Sequence, residues 1–293
     1  MKSSYKHRTG DRKDGRLLRS LPPYNKFLPF VMPLSSNACN YYEESFEVSA
    51  ADKCLRQERV NGHKDIGFTH FMIAAYIRCL SMLPGVNRFS SGRRIYARNT
   101  ITVVLSVRRS VTVDSSEAKI KVDFEPTDTI FDVYRKINEK IDEIRSGIEG
   151  NSTEELAESF ARMPRPLLRV TMFGLRVMDY FGWLPQNVVK ASPYHASVEI
   201  DNMASLRTGP VFHHTYDFGN LPVFISFGAK RHAYEPDRTG NIVSKKYIDA
   251  KFTIDERIAD SHYYSQFLQA MRYIFSHPEI LERTPSRVIE DVG

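Results

Sequence analysis

The sequence has 293 residues, of which 42% are hydrophobic and 26% charged, a composition typical of a globular protein. Its net charge of +6 arises entirely in residues 1–26, which hold eight lysines and arginines against two aspartates, so the remaining residues are neutral together. Nucleic-acid-binding proteins usually carry their basic charge on the folded body, so this distribution argues against a nucleic-acid partner.

Cysteine usage and the charged N-terminal sequence indicate a cytoplasmic protein. Cys39, Cys54 and Cys79 have neither the close spacing of a zinc site nor the even number of a disulfide framework, so we expect no metal. Residues 1–14 contain no apolar stretch of the kind that forms a secretory signal peptide. Because no uncharged apolar run approaches about 18 residues, we also expect no transmembrane segment.

Residues 1–42 differ from the rest of the chain and are predicted to form a basic N-terminal arm, with a single larger domain over residues 43–293. The arm contains four prolines, which argue against a regular helix. Residues 1–26 combine excess charge with few apolar side chains, so we expect them to be dispensable for folding.

The next segments predict alternating helices and strands. Residues 69–83 are apolar nearly all round, which predicts a buried helix with Thr69 as N-cap and a stop at Pro84. Strands are expected at residues 94–97, 101–107 and 119–124. Residues 129–146 show helical spacing of isoleucines and valines, so they predict an amphipathic helix on a sheet.

The second half predicts another amphipathic helix and more strands. A helix after Pro166 has a narrow polar stripe and a wide apolar face between residues 167 and 181. We expect this face to pack against the body or a neighbouring subunit, the alternative being a helix lying on a membrane surface. Strands at residues 196–202, 222–229 and 251–254 and a helix at 260–275 then favour a mixed α/β fold.

Three stretches resemble the catalytic domains of dihydrolipoamide acyltransferases and their relative chloramphenicol acetyltransferase. Residues 68–89 resemble the central helix of that family and the turn after it, and residues 196–206 resemble its Ser-Asn-Leu-Gly strand end. The family's Asp-His-Arg-x-x-Asp-Gly ending is similar to the run Phe252-Thr253-Ile254-Asp255-Glu256-Arg257-Ile258-Ala259-Asp260-Ser261. The resemblance covers roughly residues 43–283, and we identify no lipoyl module in residues 1–42.

The resemblance implies an α/β fold in which helices flank a mixed β-sheet, the CoA-dependent acyltransferase fold. It further implies a coenzyme A thioester as co-substrate, a homotrimer, and active sites between subunits. Within the motif, the family's catalytic histidine corresponds to Glu256 and its supporting aspartate to Asp260. The hydroxyl that stabilises the oxyanion falls at or beside Asp201.

Both altered positions oppose the family's chemistry. An ordinary glutamate has a pKa near 4.3 and is a poor base for a thiol of pKa about 8.5, while a carboxylate at Asp201 would repel an oxyanion. Two roles stay open for Glu256. Neighbouring carboxylates at Asp255 and Asp260 would raise its pKa and make it a base, or it is a structural acid paired with Arg257 or an arm arginine.

Other side chains are weaker candidates for the site. His262 is a possible substitute for the missing histidine, the alternative being a solvent-facing residue in the first turn of a helix. His213 and His214 have no partner at metal-ligand spacing, so ordinary hydrogen bonding is expected there. Four arginines between residues 88 and 98 are dense enough to hold CoA phosphates, although a solvated hairpin explains them as well.

The sequence therefore leaves two functions open. The first is a stand-alone acyltransferase that uses CoA thioesters with an altered active-site motif. The second is a catalytically inactive trimer, a pseudoenzyme that keeps the fold as a binding or scaffold protein. Neither the acyl group nor the acceptor can be read from these residues.

Overall fold

The computed structural model describes residues 7–108, 117–146, 152–237 and 239–292. Its strands are β1 (Gly15–Leu17), β2 (Cys39–Glu47), β3 (Arg88–Ser91), β4 (Arg94–Arg98), β5 (Ile101–Arg108), β6 (Glu117–Phe124), β7 (Val198–Asn202), β8 (Val223–Phe227), β9 (Arg231–Pro236) and β10 (Ile242–Asp255). Its helices are α1 (Pro23–Val31), α2 (Ser49–Val60), α3 (Phe68–Met82), α4 (Ile130–Ser146), α5 (Ser152–Ala161), α6 (Arg165–Phe181), α7 (Gln186–Ala191) and α8 (Ser261–Ser276).

The main sheet has the strand order β2-β10-β8-β7-β5-β6, with β9 added beside the first half of β10. β7 runs parallel to both β5 and β8, and the other pairings are antiparallel. A small antiparallel sheet, β1-β4-β3, joins the N-terminal arm to the hairpin after α3. This mixed sheet flanked by helices is the predicted fold class.

The core lies between the main sheet and the helices α2, α3, α4 and α8. α3 is buried on nearly every side, as its sequence predicts, although its N-cap is Gly67 and not Thr69. The Gly67 N–H donates to Nδ1 of His70, which satisfies one backbone donor at this helix end. The helix ends at Met82 with Leu83 as its C-cap, directly before the proline that was expected to stop it.

The N-terminal arm contains a helix, so the prediction that its prolines exclude one is wrong. α1 begins at Pro23, where a missing N–H has no consequence because the first turn of a helix has no intrahelical acceptors for its donors. Pro29 lies near the end of α1 and removes a single hydrogen bond, and the chain leaves the helix at Met32. Short helices tolerate prolines at such positions.

Residues 7–26 also contain more buried side chains than their composition suggests. β1 pairs with β4, and Leu18 and Leu21 pack against Ile95 and Ala97. Arg12 is buried and ion-paired, which contradicts the premise that residues 1–26 have little to bury. β2 begins at Cys39 and therefore crosses the expected boundary at residue 42, and that division of the chain stays a prediction.

α6 is the predicted amphipathic helix, and its apolar face is open in the single chain. Asp179 is its one fully buried residue, whereas Val170 and Phe173 are exposed by 68% and 70%. Trp183, just past the helix end, is 66% exposed. Within the described ranges, no helix combines the length and hydrophobicity needed to cross a bilayer.

Candidate active site

The segment that resembles the family motif lies at the end of β10. Asp255 is the last residue of the strand, and its carboxylate accepts three hydrogen bonds from the Arg257 guanidinium, at 2.9, 3.2 and 2.6 Å. Both side chains are buried, and the guanidinium also donates to the Met32 carbonyl and the Ser35 hydroxyl. The ion pair therefore fixes the turn after β10 and ties it to the end of α1.

Glu256 follows in this turn and is half-buried. Its N–H donates to the Ala38 carbonyl at 2.8 Å, which holds the backbone against the start of β2. The carboxylate makes no hydrogen bond or ion pair with any residue that the structure describes. Arg257 is engaged by Asp255, so of the alternatives left open for Glu256 the pairing with Arg257 is not the one that the structure shows. The Glu256 side chain is free to meet a substrate or a second subunit.

Asp260 and His262 occupy the first turn of α8. Asp260 is the N-cap, and its Oδ1 accepts a hydrogen bond from the Tyr263 N–H at 2.8 Å. The aspartate thus stabilises the start of the helix, which is a structural role. His262 is exposed, and its Nε2 lies 3.0 Å from the Gln266 amide on the helix surface. That location matches the solvent-facing alternative for His262, and a catalytic role for it stays untested.

Asp201 lies near the end of β7, on the face of the main sheet that points away from the helices of the core. Val198 and Ile200 point into the core, so strand alternation directs Glu199 and Asp201 together to the other face. Glu199 is buried and forms an ion pair with Lys119 of β6. Burial raises the pKa of Glu199, and the nearby Asp201 raises it further while Lys119 opposes both effects.

A histidine covers this second face beside the two carboxylates. The His213 ring stacks on Phe224 with their centroids 4.7 Å apart, and Phe224 lies directly opposite Glu199 in the neighbouring strand. The His213 carbonyl accepts a hydrogen bond from the Thr253 hydroxyl. Sequence reasoning named Asp201 and His213 but missed Glu199 and Lys119, although the alternation of apolar and acidic residues in β7 is a signal that points to Glu199.

One chain does not bring Glu256 and Asp201 together. Asp201 lies opposite Ser226, and Ser226 lies opposite Lys251, which precedes Glu256 by five residues. At a strand spacing of about 4.8 Å and a rise of about 3.3 Å per residue, the Cα atoms of the two residues are about 19 Å apart. A site that uses both residues therefore needs a second copy of the chain.

The four arginines between residues 88 and 98 do not form one cluster. Arg88 is bound to the Asp291 carboxylate at 2.7 and 2.5 Å, which anchors the C-terminal tail. Arg93 lies over the ring of Phe30 on α1, whereas Arg98 donates to Asn220 in the loop before β8. In the described part of the chain, no group of three or more histidines, cysteines or acidic residues is arranged to hold a metal ion.

The sheet order, the buried α3 and the motif at the end of β10 together define the CoA-dependent acyltransferase fold. A dihydrolipoamide acetyltransferase from Azotobacter vinelandii, whose catalytic mechanism involves a serine, a histidine and an asparagine, superposes with a TM-score of 0.58. It is 9% identical, and the match covers 96% of each chain.

Two further solved structures share the fold. A probable dihydrolipoamide acetyltransferase from Listeria monocytogenes has a TM-score of 0.57 and 13% identity, over 92% of this chain and 96% of its own. A chloramphenicol acetyltransferase has a TM-score of 0.51 and 12% identity, over 86% and 94%. No family model and no curated protein sequence matches the chain. The resemblance seen in the sequence is thus confirmed at the level of the fold.

Proposed function

We propose that this chain is a cytoplasmic, CoA-thioester-dependent acyltransferase-like protein with an altered active-site motif. Its support is the shared fold, together with the geometry around Glu256. The Asp255–Arg257 ion pair and the Asp260 cap hold the turn in place, while the Glu256 carboxylate lies between them unengaged by any described residue. A scaffold that holds one unpaired side chain in this way suits a substrate-binding position.

The chemistry at that position differs from general-base catalysis by an imidazole. Transfer of a proton from a thiol to an ordinary glutamate is uphill by about 6 kcal/mol, the equivalent of about four pKa units. Asp201 adds negative charge at the proposed oxyanion position, next to buried Glu199. Because the carboxylates of Glu256 and Asp201 both oppose acyl transfer, the second candidate function is an inactive trimeric binding or scaffold protein. Both functions share the CoA thioester as ligand, and they differ in turnover.

We predict that CoA and acetyl-CoA stabilise the protein without supporting rapid acyl transfer. At a hundredfold excess over Kd, the melting temperature should rise by about 5 °C, because ligand binding to the folded state alone shifts unfolding. Release of the CoA thiol in the presence of dihydrolipoamide or chloramphenicol should stay close to the background rate. Thermal shift and thiol-release assays on the same sample measure the two effects. Failure of both CoA forms to shift the melting temperature would contradict the proposal.

We also propose a homotrimer, with α6 contributing to the contact between subunits. The separation of Glu256 from Asp201 within one chain supports an assembled site, and the exposed apolar side chains of α6, among them Val170 and Phe173, suit a contact between subunits. The acceptor is left open.

Replacing Phe173 with aspartate should convert the trimer to monomers, because it places a charge at the centre of the exposed apolar face of α6. Light scattering at micromolar concentration measures the change in mass. Val60→Asp is the matched control, since Val60 is the last residue of α2 and is 81% exposed. A wild-type monomer, or a Phe173→Asp variant that stays trimeric, would contradict the assignment of α6 to the interface.

A further inference from the structure

A cavity of about 620 Å³ lies away from the motif at the end of β10. It is enclosed by the arm around Arg12, the start of β5, the end of β6 and the segment from Gly182 to His195. We call it the basic cavity. Its volume is within the usual range for small-molecule sites. Glu256, Asp260 and Asp201 do not line it.

The lining of the basic cavity carries an excess of positive charge. Its ionisable side chains, apart from His195, are Arg12, Lys13, Arg98, Lys121, Lys140 and Lys190 against Asp14, Asp123 and Glu143. Arg12 is neutralised by Asp14 and Asp179, and Lys140 pairs with Glu143. The exposed ammonium groups of Lys13 and Lys190 have no hydrogen bond or ion pair with any other described side chain. Asp123, together with the one negative charge that Arg12 leaves over from Asp14 and Asp179, offsets only part of the remaining cations, Lys13, Arg98, Lys121 and Lys190.

Arg98 has an unmet hydrogen-bonding capacity within this cavity. Its Nη2 donates to the backbone and side-chain oxygens of Asn220, both at 2.8 Å. Its Nε is buried, and no described atom accepts a hydrogen bond from it. Burial lowers the pKa of Arg98 to about 10, although the Asp14 carboxylate opposes that effect. A buried donor without an acceptor is destabilising, and a ligand oxygen would satisfy it.

Lys121 is a buried cation in the wall of the basic cavity. Its ammonium donates to the carbonyls of Val189, Ser192 and His195 at 2.9, 2.8 and 2.7 Å. Even with these acceptors, burial lowers the pKa of Lys121 to about 7, and the neighbouring Arg98 lowers it further. All three N–H donors of Lys121 are occupied, so this residue does not offer a free donor to a ligand.

We propose that the basic cavity binds a small anionic ligand through phosphate or carboxylate groups, with Arg98 inside and Lys13 and Lys190 at the exposed rim. A guanidinium suits such oxygens because its planar N–H groups match their geometry. Hydroxyls of Thr100 and Thr102 add polar partners in the lining, which also includes apolar side chains for the body of a ligand. The proposal does not depend on acyl transfer.

The test measures binding of pyrophosphate and of citrate to the full chain by isothermal titration calorimetry. Both probes should bind to the wild type, and the double variant Lys13→Glu/Lys190→Glu should weaken each Kd about tenfold or more through charge reversal at the rim. Both lysines are exposed, so the variant is expected to fold. Lys53→Glu, on the exposed surface of α2 and outside the cavity, is the matched control and should bind as the wild type does. Equal binding by wild type and rim variant, or no binding of either probe at millimolar concentration, would overturn the proposal.

Coenzyme A and pantetheine distinguish two sources of the anionic group. If the phosphates of CoA occupy the basic cavity, the rim variant should weaken CoA binding, whereas pantetheine binding should not change because pantetheine has no phosphate. If a separate anion occupies it, CoA should bind equally to both proteins while pyrophosphate and citrate lose affinity. Either result supports the proposal that the basic cavity binds an anion, provided that pyrophosphate and citrate bind. Binding of the probes without binding of CoA would contradict the proposed function and leave the cavity supported.

Discussion

Replacing Arg12 with alanine should lower the free energy of unfolding by about 3–5 kcal/mol. The Arg12 side chain is 5% exposed, and its guanidinium binds the carboxylates of Asp14 and Asp179 at 2.9 and 2.8 Å. It also donates to the Ser91 hydroxyl and the Asp179 carbonyl, so one side chain joins the arm, β3 and the end of α6. Removing it leaves the buried Asp179 carboxylate and the half-buried Asp14 carboxylate without this cationic partner. Urea denaturation at fixed protein concentration measures the change.

The control for this experiment is Lys13→Ala, the exposed neighbour of Arg12, which should change stability by less than about 0.5 kcal/mol. Combining Arg12→Ala with Asp179→Ala should cost less than the two single changes added together, because the residues share one network. Deleting residues 1–26 should be more damaging still, since Leu18 and Leu21 are lost as well. A deletion variant that folds with wild-type stability would contradict this account.

The arm shows why composition alone misled the sequence interpretation. Residues 1–26 are charged, yet one of the two carboxylates that bind Arg12 belongs to Asp179, which is 167 positions away along the chain. Local charge and apolar content carry no information about such a contact. The expectation of dispensability rests on treating Arg12 as a solvated residue, whereas its burial and pairing depend on the tertiary fold.

Elements with strong periodicity were predictable, and edge elements were not. The buried α3, the amphipathic α4 and the strands β5, β6 and β8 follow directly from their apolar patterns. β9 and the first half of β10 pair with each other at the sheet edge, where exposed side chains leave no regular alternation of apolar residues. Their strand structure depends on tertiary pairing, which a local pattern does not record.

The sequence positions of the candidate site residues were predictable, whereas the contacts that their side chains make in space were not. The sequence places Asp255 beside Glu256, but only the fold shows that Arg257 neutralises Asp255 and leaves the Glu256 carboxylate unpaired among the described residues. In the same way, Glu199 draws its raised pKa from burial on a sheet face. Ion pairing and burial are properties of side-chain positions in space, so they required the structure.

Acyl transfer to dihydrolipoamide should appear when Glu256→His and Asp201→Ser are combined, at a rate at least about a hundredfold above that of either single variant. A positioned base contributes roughly 10²–10⁴-fold, and one oxyanion donor contributes roughly 10²–10³-fold. Glu256→His alone should gain little, since Asp201 would still repel the oxyanion. Thiol release from acetyl-CoA measures the rate, and unchanged thermal shifts with CoA would show that binding is retained.

Mixed trimers test whether the two positions meet between subunits. Because about 19 Å separates them within one chain, Glu256→His chains co-assembled with Asp201→Ser chains should regain activity although no chain carries both changes. In a closed ring of three, every mixed trimer contains one interface that joins the introduced histidine to the introduced serine. Mixing the two purified homotrimers without subunit exchange should give no gain, which is the control. Robust wild-type turnover that collapses in Glu256→Gln would contradict this scheme and identify the glutamate itself as the base.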